Sequence, residues 1–514
     1  MRREVWLPGV ALSALAVALR LLVAARREGI EVDGILYLAN AAALAGAPGS
    51  FNAVHQPLYS LVLAPLLGLT ADPEWLGRFV AAVAGGLWVW PTLWLAHETT
   101  DERVAWPAGL LVAVLPAAVD AGTRVLPDTL LVLLTTTTLA AAVWAVRTTS
   151  PVGAAVTGAA GALASLAHPV GIGFLALALA LLVLAPRWTP STWPAPRPLA
   201  TATAVALAAV LVLAPQVAFV RRATGTWSWT GKQLGYTLTF SEHVGAERPV
   251  VAAERLTAEV RPEDAPPGAL AYARRSPGML AQRALVNLHL VDKYTLPGLL
   301  QSGGIALVAL GAVHLRRRRH PPEWLLPVML APLAALVLFN VESRYFLPAM
   351  PVLAVIAALG VARLGRHRPA EGPAPRVRLG VLVLAVVLLS FVPWLARPWF
   401  REDASGIDRA AGRWLRAAGA GPTFLGRYPV VGYYAHARAI PFAAHSLDEA
   451  LADGRRQGAR FLVVDSERLP EIRPDLLPLL AGTARGRDDL QLAHVVEDRA
   501  GRRVLIYRIA GAPA

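Results

Sequence analysis

Apolar residues along this chain come in long unbroken runs, with the polar residues gathered between them. A bilayer core takes about 20 residues of α-helix. A window of that length finds runs near residues 5–24, 77–97, 104–120, 128–146, 152–167, 169–186, 199–219, 296–315, 322–340, 345–364 and 379–397. The pattern predicts an all-α polytopic membrane protein with about eleven spanning helices. The opening MRREVW precedes a run longer than a signal-peptide core, so it reads as an uncleaved first span.

The stretch from His55 to Leu69 is also apolar, but Pro57 and Pro65 interrupt it and another full run follows. It predicts a re-entrant or interfacial helix, one of a set of juxtamembrane helices. With the N-terminus inside, the loops holding Arg316 to Arg319, and Arg363, Arg366, Arg368, Arg376 and Arg378, fall in the cytoplasm, as the positive-inside rule requires. A crossing at 55–69 would turn the four-arginine run outward. The predicted organisation is a transmembrane module over 1–397, with a first outer loop at 25–76 and a large outer loop at 220–295, then a domain at 398–514 on the outer side. In that last part the pattern changes. Helix-like IDRAAGRWLRAAG and LDEALADGRRQG alternate with strand-like FLVVD, LQLAHVV and RVLIYRI, the last two joined by EDRAGR. This predicts a small soluble α/β domain.

Composition agrees with the membrane reading: 55% of residues are hydrophobic, 16% are charged, and the mean hydropathy is +0.48. The net charge of +14 would suggest nucleic acid in a soluble chain. Here the basic residues cluster in short loops between apolar runs, so no nucleic-acid partner is expected. The absence of cysteine excludes disulfides, thiolate metal sites and cysteine nucleophiles. Lys232 and Lys293 are the only lysines among many arginines, and with the abundant alanine they suggest a bacterial, GC-rich coding bias. The expected location is the bacterial inner membrane.

Sorted by this topology, the outer side collects Asp33 and Tyr37; His55; Glu74 and Arg78; Asp120, Arg124 and Asp128; His168; Arg221, Arg222 and Lys232; and Glu342, Arg344 and Tyr345. Charges at span ends are functional candidates because hydrocarbon penalises them. Each also has a structural reading. Asp33 fits as the cap of a helix beginning at Gly34. Asp120, Arg124 and Asp128 stand at i, i+4 and i+8, a local ion-pair ladder that Pro127 interrupts. Arg221 and Arg222 fit as headgroup anchors, His168 as an interfacial histidine, and Glu342 with Arg344 as a salt bridge. Collected at one face, these groups point to an outward-facing site. There is no P-loop, GxSxG, HExxH or GxGxxG, which speaks against ATP-driven transport and soluble-cofactor chemistry.

The motif order DGILYLANAAAL, HQPLYSLVLAPL, PEWLGRFVAAVAGG, TRVLPDTLLVLL, LASLAHPVGIG and ESRYFLPAMPVLAV resembles the GT-C glycosyltransferases of the protein O-mannosyltransferase, aminoarabinose-transferase and RgtA-like type, over roughly residues 1–365. In the family an Asp, often followed by Glu, opens the first outer loop; here Asp33 takes that place and Gly34 replaces the second acid. The HPPL element stands as His55, Gln56, Pro57 and Leu58. Glu74 and Arg78 match an E-x-x-x-R pattern, and His168, Pro169, Val170 and Gly171 stand where relatives often have Arg-Pro-Glu-Gly. The E-x-R-Y-x-x-P element is complete at Glu342, Arg344, Tyr345 and Pro348.

The resemblance implies an enzyme that moves a sugar from a polyprenyl-phosphate donor to an acceptor hydroxyl on a glycan, lipid or protein, with inversion. It implies Asp33 as general base and Arg344 as phosphate ligand, assisted by Lys232, Arg221 or Arg222. His55, Tyr37, Arg124, Asp128, His168, Glu342 and Tyr345 would line the substrate site. No cofactor is required; a divalent metal is compatible with such chemistry but not implied, since the second acid is absent. Two other readings of the same residues stay open, a transporter or flippase of lipid-linked sugars and a non-catalytic outer-face binding protein.

Overall fold

A computed structural model of the protein describes residues 3–48, 51–195, 197–232, 238, 268–317, 322–339, 342–364, 374–400, 406–426, 428–441, 446–467, 469, 474–481 and 487–511. The end of the four-arginine run at Arg318 and Arg319, together with Arg366, Arg368 and most of the large loop (233–237 and 239–267), lies outside the described residues. The chain forms two compact units: 1–25, 36–232 and 277–397 make the first, and 26–35, 233–276 and 398–514 the second.

The first unit is helical. Its elements begin with α1 (Arg3–Ala24), α2 (Val32–Leu44, whose first residues count with the second unit), α3 (Leu58–Leu63) and α4 (Pro73–Leu87), which continues through Trp88 into α5 (Val89–Thr99). Then come α6 (Glu102–Val114), α7 (Pro116–Ala121), α8 (Asp128–Thr148), α9 (Pro151–Ala167), α10 (Gly171–Val183), α11 (Ala185–Trp188) and α12 (Pro198–Thr224). Further helices cover Pro277–Leu290, Leu296–Arg317, Ala349–Leu364 and Ala374–Phe400.

Among the described residues, the stretches 73–99, 128–148, 198–224 and 277–316 are long and apolar enough to cross a membrane. Several expected spans differ from a single helix: 169–186 divides into α10 and α11, and 296–315 is kinked at Gln301 (φ 57°, ψ 169°). The run at 104–120 is broken at Leu115 (φ −54°, ψ 128°) before Pro116. The run at 322–340 is a series of short turns, Leu325–Val328, Ala331–Ala334 and a 3-10 turn at Ala335–Leu338. Pro327 and Pro332 remove the amide donors that a continuous helix there needs. The stretch at 58–69 consists of α3 and a 3-10 turn, Ala64–Leu69. At about 1.5–2 Å per residue it is far shorter than the roughly 30 Å hydrocarbon core.

Several hydroxyls inside the helices are satisfied locally. The run Thr135 to Thr138 in α8 donates each hydroxyl to the carbonyl four residues back, at 2.7–2.8 Å. From α4 to α12 the chain reverses direction through short connections, so the starts of α4 and α8 and the ends of α7, α9 and α12 lie at one end of the unit. Ala24 at the end of α1 joins them, since its carbonyl accepts from Arg78 Nη1 at 3.4 Å. Glu74, Asp120, Arg124, Asp128, His168, Arg221 and Arg222 therefore share one end. At the other end a different ion pair, Glu98 with Arg147 (3.2 Å), ties α5 to α8.

The second unit contains a five-stranded sheet in the order β2 (Arg438–Ile440), β1 (Thr423–Leu425), β3 (Phe461–Asp465), β5 (Arg503–Ile509), β4 (Leu490–Glu497). β1 is parallel to its neighbours, and β5 is antiparallel to β3 and β4. The central strands are buried on both faces. Phe461, Val463, Val504 and Ile506 pack with the helix Gly406–Ala417; Leu462, Val464, Leu505 and Tyr507 pack with the helix Leu447–Arg456 on the other side. The strand-like and helix-like segments of the sequence all take those forms. The short β1 and β2, three residues each, were too brief to show alternation.

Candidate functional site

The E-S-R-Y segment forms a 3-10 turn, Ser343–Phe346, with Glu342 extended before it (φ −110°, ψ 135°). The turn is anchored inward by Phe346 and Leu347, which are buried in the bundle core. The polar side chains stay at its edge. Arg344 Nε donates to Glu342 Oε2 at 2.5 Å and Nη2 to the Tyr345 hydroxyl at 3.4 Å, and the hydroxyl donates to Glu342 Oε1 at 3.4 Å. The Arg344 guanidinium also lies 5.2 Å from the Tyr345 ring centre.

His168 completes this cluster. It caps the end of α9 in extended conformation (φ −155°, ψ 143°), the region to which a residue before proline is restricted. Its Nδ1 accepts from Val170 N–H at 3.3 Å, which leaves Nε2 as the nitrogen that can donate. Its ring lies 5.0 Å from that of Tyr345, tilted by 36°. A guanidinium, a phenol and an imidazole N–H thus stand together beside apolar helices, a donor set suited to an anionic oxygen.

A second cluster surrounds Tyr37. Its ring is met edge-on by His55 (5.2 Å) and Tyr59 (5.6 Å), and its carbonyl accepts from Ser60 Oγ at 2.9 Å. Tyr59 is fully buried and donates to Gly77 O at 2.7 Å. The turn carrying His55 is held on two sides. Asn40 and Asn52 exchange hydrogen bonds of 2.8 and 3.1 Å, and Gly231 N–H donates to Ala53 O at 3.2 Å. A Cβ at Gly231 would lie 2.3 Å from that oxygen, so only glycine permits the approach. Lys232 follows directly and is thereby held next to the His55 turn. Leu58 after that turn packs against Ala164 and Ala167, the last residues before His168.

The remaining candidates are placed less centrally. Arg124 reaches Asp120 Oδ2 through Nε (3.0 Å) and Nη2 (2.6 Å), but Asp128 is no third rung. It is buried in the first turn of α8, because Pro127 ends the preceding segment and restarts the chain. Arg221 and Arg222 are exposed in the last turn of α12, with Arg221 over the Trp227 ring at 5.6 Å. Asp33 is counted with the second unit. It does not cap a helix at Gly34: α2 begins at Val32, Glu31 O accepts the first bond from Ile35 N–H at 3.1 Å, and Asp33 sits inside the first turn. A negative charge in that first turn is favoured by the helix dipole. Among the described residues, no three His, Asp or Glu side chains converge as metal ligands.

Sequence reasoning missed Asn40, Tyr59, Ser60 and Gly231, which hold the His55 turn. It also missed Arg20, a charged residue inside an apolar span, which was the signal available to find it.

The family model of dolichyl-phosphate-mannose-protein mannosyltransferases matches residues 54–215. No curated protein matches the chain. Among solved structures, the oligosaccharyltransferase of Archaeoglobus fulgidus with zinc and sulfate superimposes with a TM-score of 0.62 at 16% identity, covering 97% of this chain and 72% of that one. The same archaeal enzyme with an inhibitory peptide and dolichol-phosphate gives 0.55 at 14% identity, over 89% and 69%. ArnT from Cupriavidus metallidurans bound to undecaprenyl phosphate gives 0.56 at 14% identity, over 100% of both chains. A multi-pass helical unit, a polar cluster at one of its ends, and likenesses that run nearly the whole chain agree: this protein has the GT-C fold of membrane glycosyltransferases.

Proposed function

We propose that the protein transfers a sugar from a polyprenyl-phosphate donor to an acceptor hydroxyl at the outer face of a bacterial inner membrane, with inversion at the anomeric carbon. The observation that carries this reading is the group formed by Arg344, Tyr345 and His168 at the polar end of an apolar bundle. A lipid phosphate requires that combination, with hydrocarbon for the tail and fixed donors at the interface for the phosphate. The family model of dolichyl-phosphate-mannose-protein mannosyltransferases and the undecaprenyl phosphate on ArnT support it.

In this mechanism the acceptor oxygen attacks the anomeric carbon while Asp33 takes its proton. The bond from that carbon to the phosphate oxygen breaks, and the departing phosphate carries the negative charge. Arg344 binds it through a planar, permanently charged fork. Tyr345 and His168 Nε2 add neutral donors, and Lys232 beside His55 adds a second cation. Donors that tighten as charge develops on the leaving group favour the transition state over the ground state. Tyr37 and His55 present ring surfaces for the sugar.

The test is reconstitution of the full chain in vesicles with radiolabelled polyprenyl-phosphate sugars and membrane extract. Label should move to an acceptor, and Asp33→Asn should stop the movement while donor binding persists. Near-normal turnover in Asp33→Asn would remove it as the base. Label that crosses the bilayer still attached to its lipid would replace transfer with flipping.

A further inference from the structure

Arg20 lies one helical turn from the end of α1 and is fully buried. Among the described residues no carboxylate pairs with it. Its Nη1 donates to Ala16 O (2.9 Å) and Ala113 O (3.0 Å), its Nη2 donates to Val112 O (3.2 Å), and its guanidinium sits 5.2 Å from the Trp88 ring centre. Two glycines make the space: a Cβ on Gly85 or Gly122 would come within 2.6 or 2.5 Å of the Arg20 side chain.

The choice of carbonyls has a cause in the sequence. In an unbroken helix Val112 O would accept from residue 116, but Pro116 has no N–H. Leu115 turns the chain out of helical conformation, so Ala113 O loses its donor as well. Orphan carbonyls inside a membrane bundle are severely penalised. The guanidinium satisfies both, and the negative end of α6 together with the Trp88 face offsets its charge.

We infer that Arg20 is a positioning residue: it splints the break between α6 and α7 and so sets the course of the chain into Asp120, Arg124 and Asp128. A lysine has a single nitrogen and does not reproduce the fork. The consequence for catalysis rests on the transfer reading above, whereas the splint does not.

The chain has no cysteine, so spin labels at Arg103→Cys and Asp120→Cys report cleanly on the distance across the break by pulsed electron paramagnetic resonance. Arg20→Met in the labelled full chain should shift and broaden that distance and lower the thermal midpoint. Adding Pro116→Ala returns a donor to Val112 O, so the double variant should recover thermal stability without recovering the parent distance. In unlabelled protein its turnover should stay about tenfold or more below the parent, with a smaller change in donor KM, because a misplaced group slows the chemical step.

An unchanged distance and midpoint in Arg20→Met would overturn the splint. Should Arg20→Met fail to fold, the double variant carries the same comparison. Full recovery of turnover along with stability in the double variant would reduce Arg20 to a purely structural role. A shifted distance in Arg20→Met, alongside a parent protein that transfers no sugar, would uphold the splint and reject the transfer reading.

Discussion

Two arginines, one in each compact unit, show what separates a structural charge from one available to a ligand. Arg502 in the second unit donates to Asp408 (2.8 Å) and Asp465 (2.6 and 3.2 Å) and pairs with Glu467 (3.4 Å). Its side chain is 9% exposed, and Asp465 is entirely enclosed. Burial alone would lower the Arg502 pKa, but the charges of Asp408 and Asp465 outweigh it and the net shift is upward. Arg344 in the first unit has the opposite setting. The side chain of its carboxylate partner Glu342 is 42% exposed, and that of Arg344 22%. Arg502 is enclosed with a surplus of negative charge and has no exchange to make. Under the proposed transfer, Arg344 would trade a partly solvated carboxylate for a phosphate at little desolvation penalty.

The largest expected effect tests the enclosed member. Arg502→Met removes the charge that Arg502 supplies to the buried Asp408 and Asp465, and breaking such a pair destabilises by about 3–5 kcal/mol. Hydrogen exchange of β3 and β5 in the full-length protein should accelerate by several orders of magnitude, while exchange in α8 and α9 stays unchanged. Slow exchange retained in β3 would mean that the cluster is not what holds the second unit together.

Arg344→Ala should do the reverse. Loss of one charge-stabilising donor lowers transfer by about 10²–10³-fold, with binding of the lipid-phosphate donor weakened far more than that of the acceptor and with exchange in β3 unaltered. Equal weakening of donor and acceptor would take the phosphate away from Arg344 and erase the contrast between the two arginines.

The two units were legible to different depths. Helices appear at nearly every long apolar run, because in hydrocarbon the backbone has no other way to satisfy itself. The full breaks at 104–120 and 322–340 trace to Pro116, Pro327 and Pro332, which a hydropathy window does not weigh. In the tail, LQLAHVVEDRAGRRVLIYRI gave a hairpin because alternation and turn residues coincide there. Of the candidate residues, Glu342, Arg344, Tyr345 and His168, which the structure brings together, stood out because polar residues interrupt apolar sequence there. The site's supports did not. Asn40 bonding Asn52 across α2, or Gly231 bonding Ala53 across well over a hundred residues, arises from tertiary approach, which neither periodicity nor local spacing encodes.

The smallest effect belongs to a third kind of arginine setting, the open ion network of the tail. Asp489 accepts from Arg487 Nε at 2.9 Å and from Arg455 Nη2 at 3.1 Å, and Arg487 also bonds Asp448. The hydrogen bond from Arg487 leads in holding the Asp489 carboxyl below its ordinary value, with burial opposing and Arg455 adding to the downward shift. A carboxylate whose folded pKa is depressed stabilises the fold above its unfolded value of about 3.9, and that contribution fades as pH falls below it. Because the side chain is 30% exposed, water and salt screen the pair, and a contribution within about 1 kcal/mol is expected. Local exchange of the β4–β5 hairpin should therefore rise modestly between pH 5 and pH 3, and less so in 1 M salt. Asp489→Asn should flatten that rise while leaving the slow exchange of β3 intact. An unflattened rise would take the acid sensitivity of the hairpin away from Asp489 and its arginine partners.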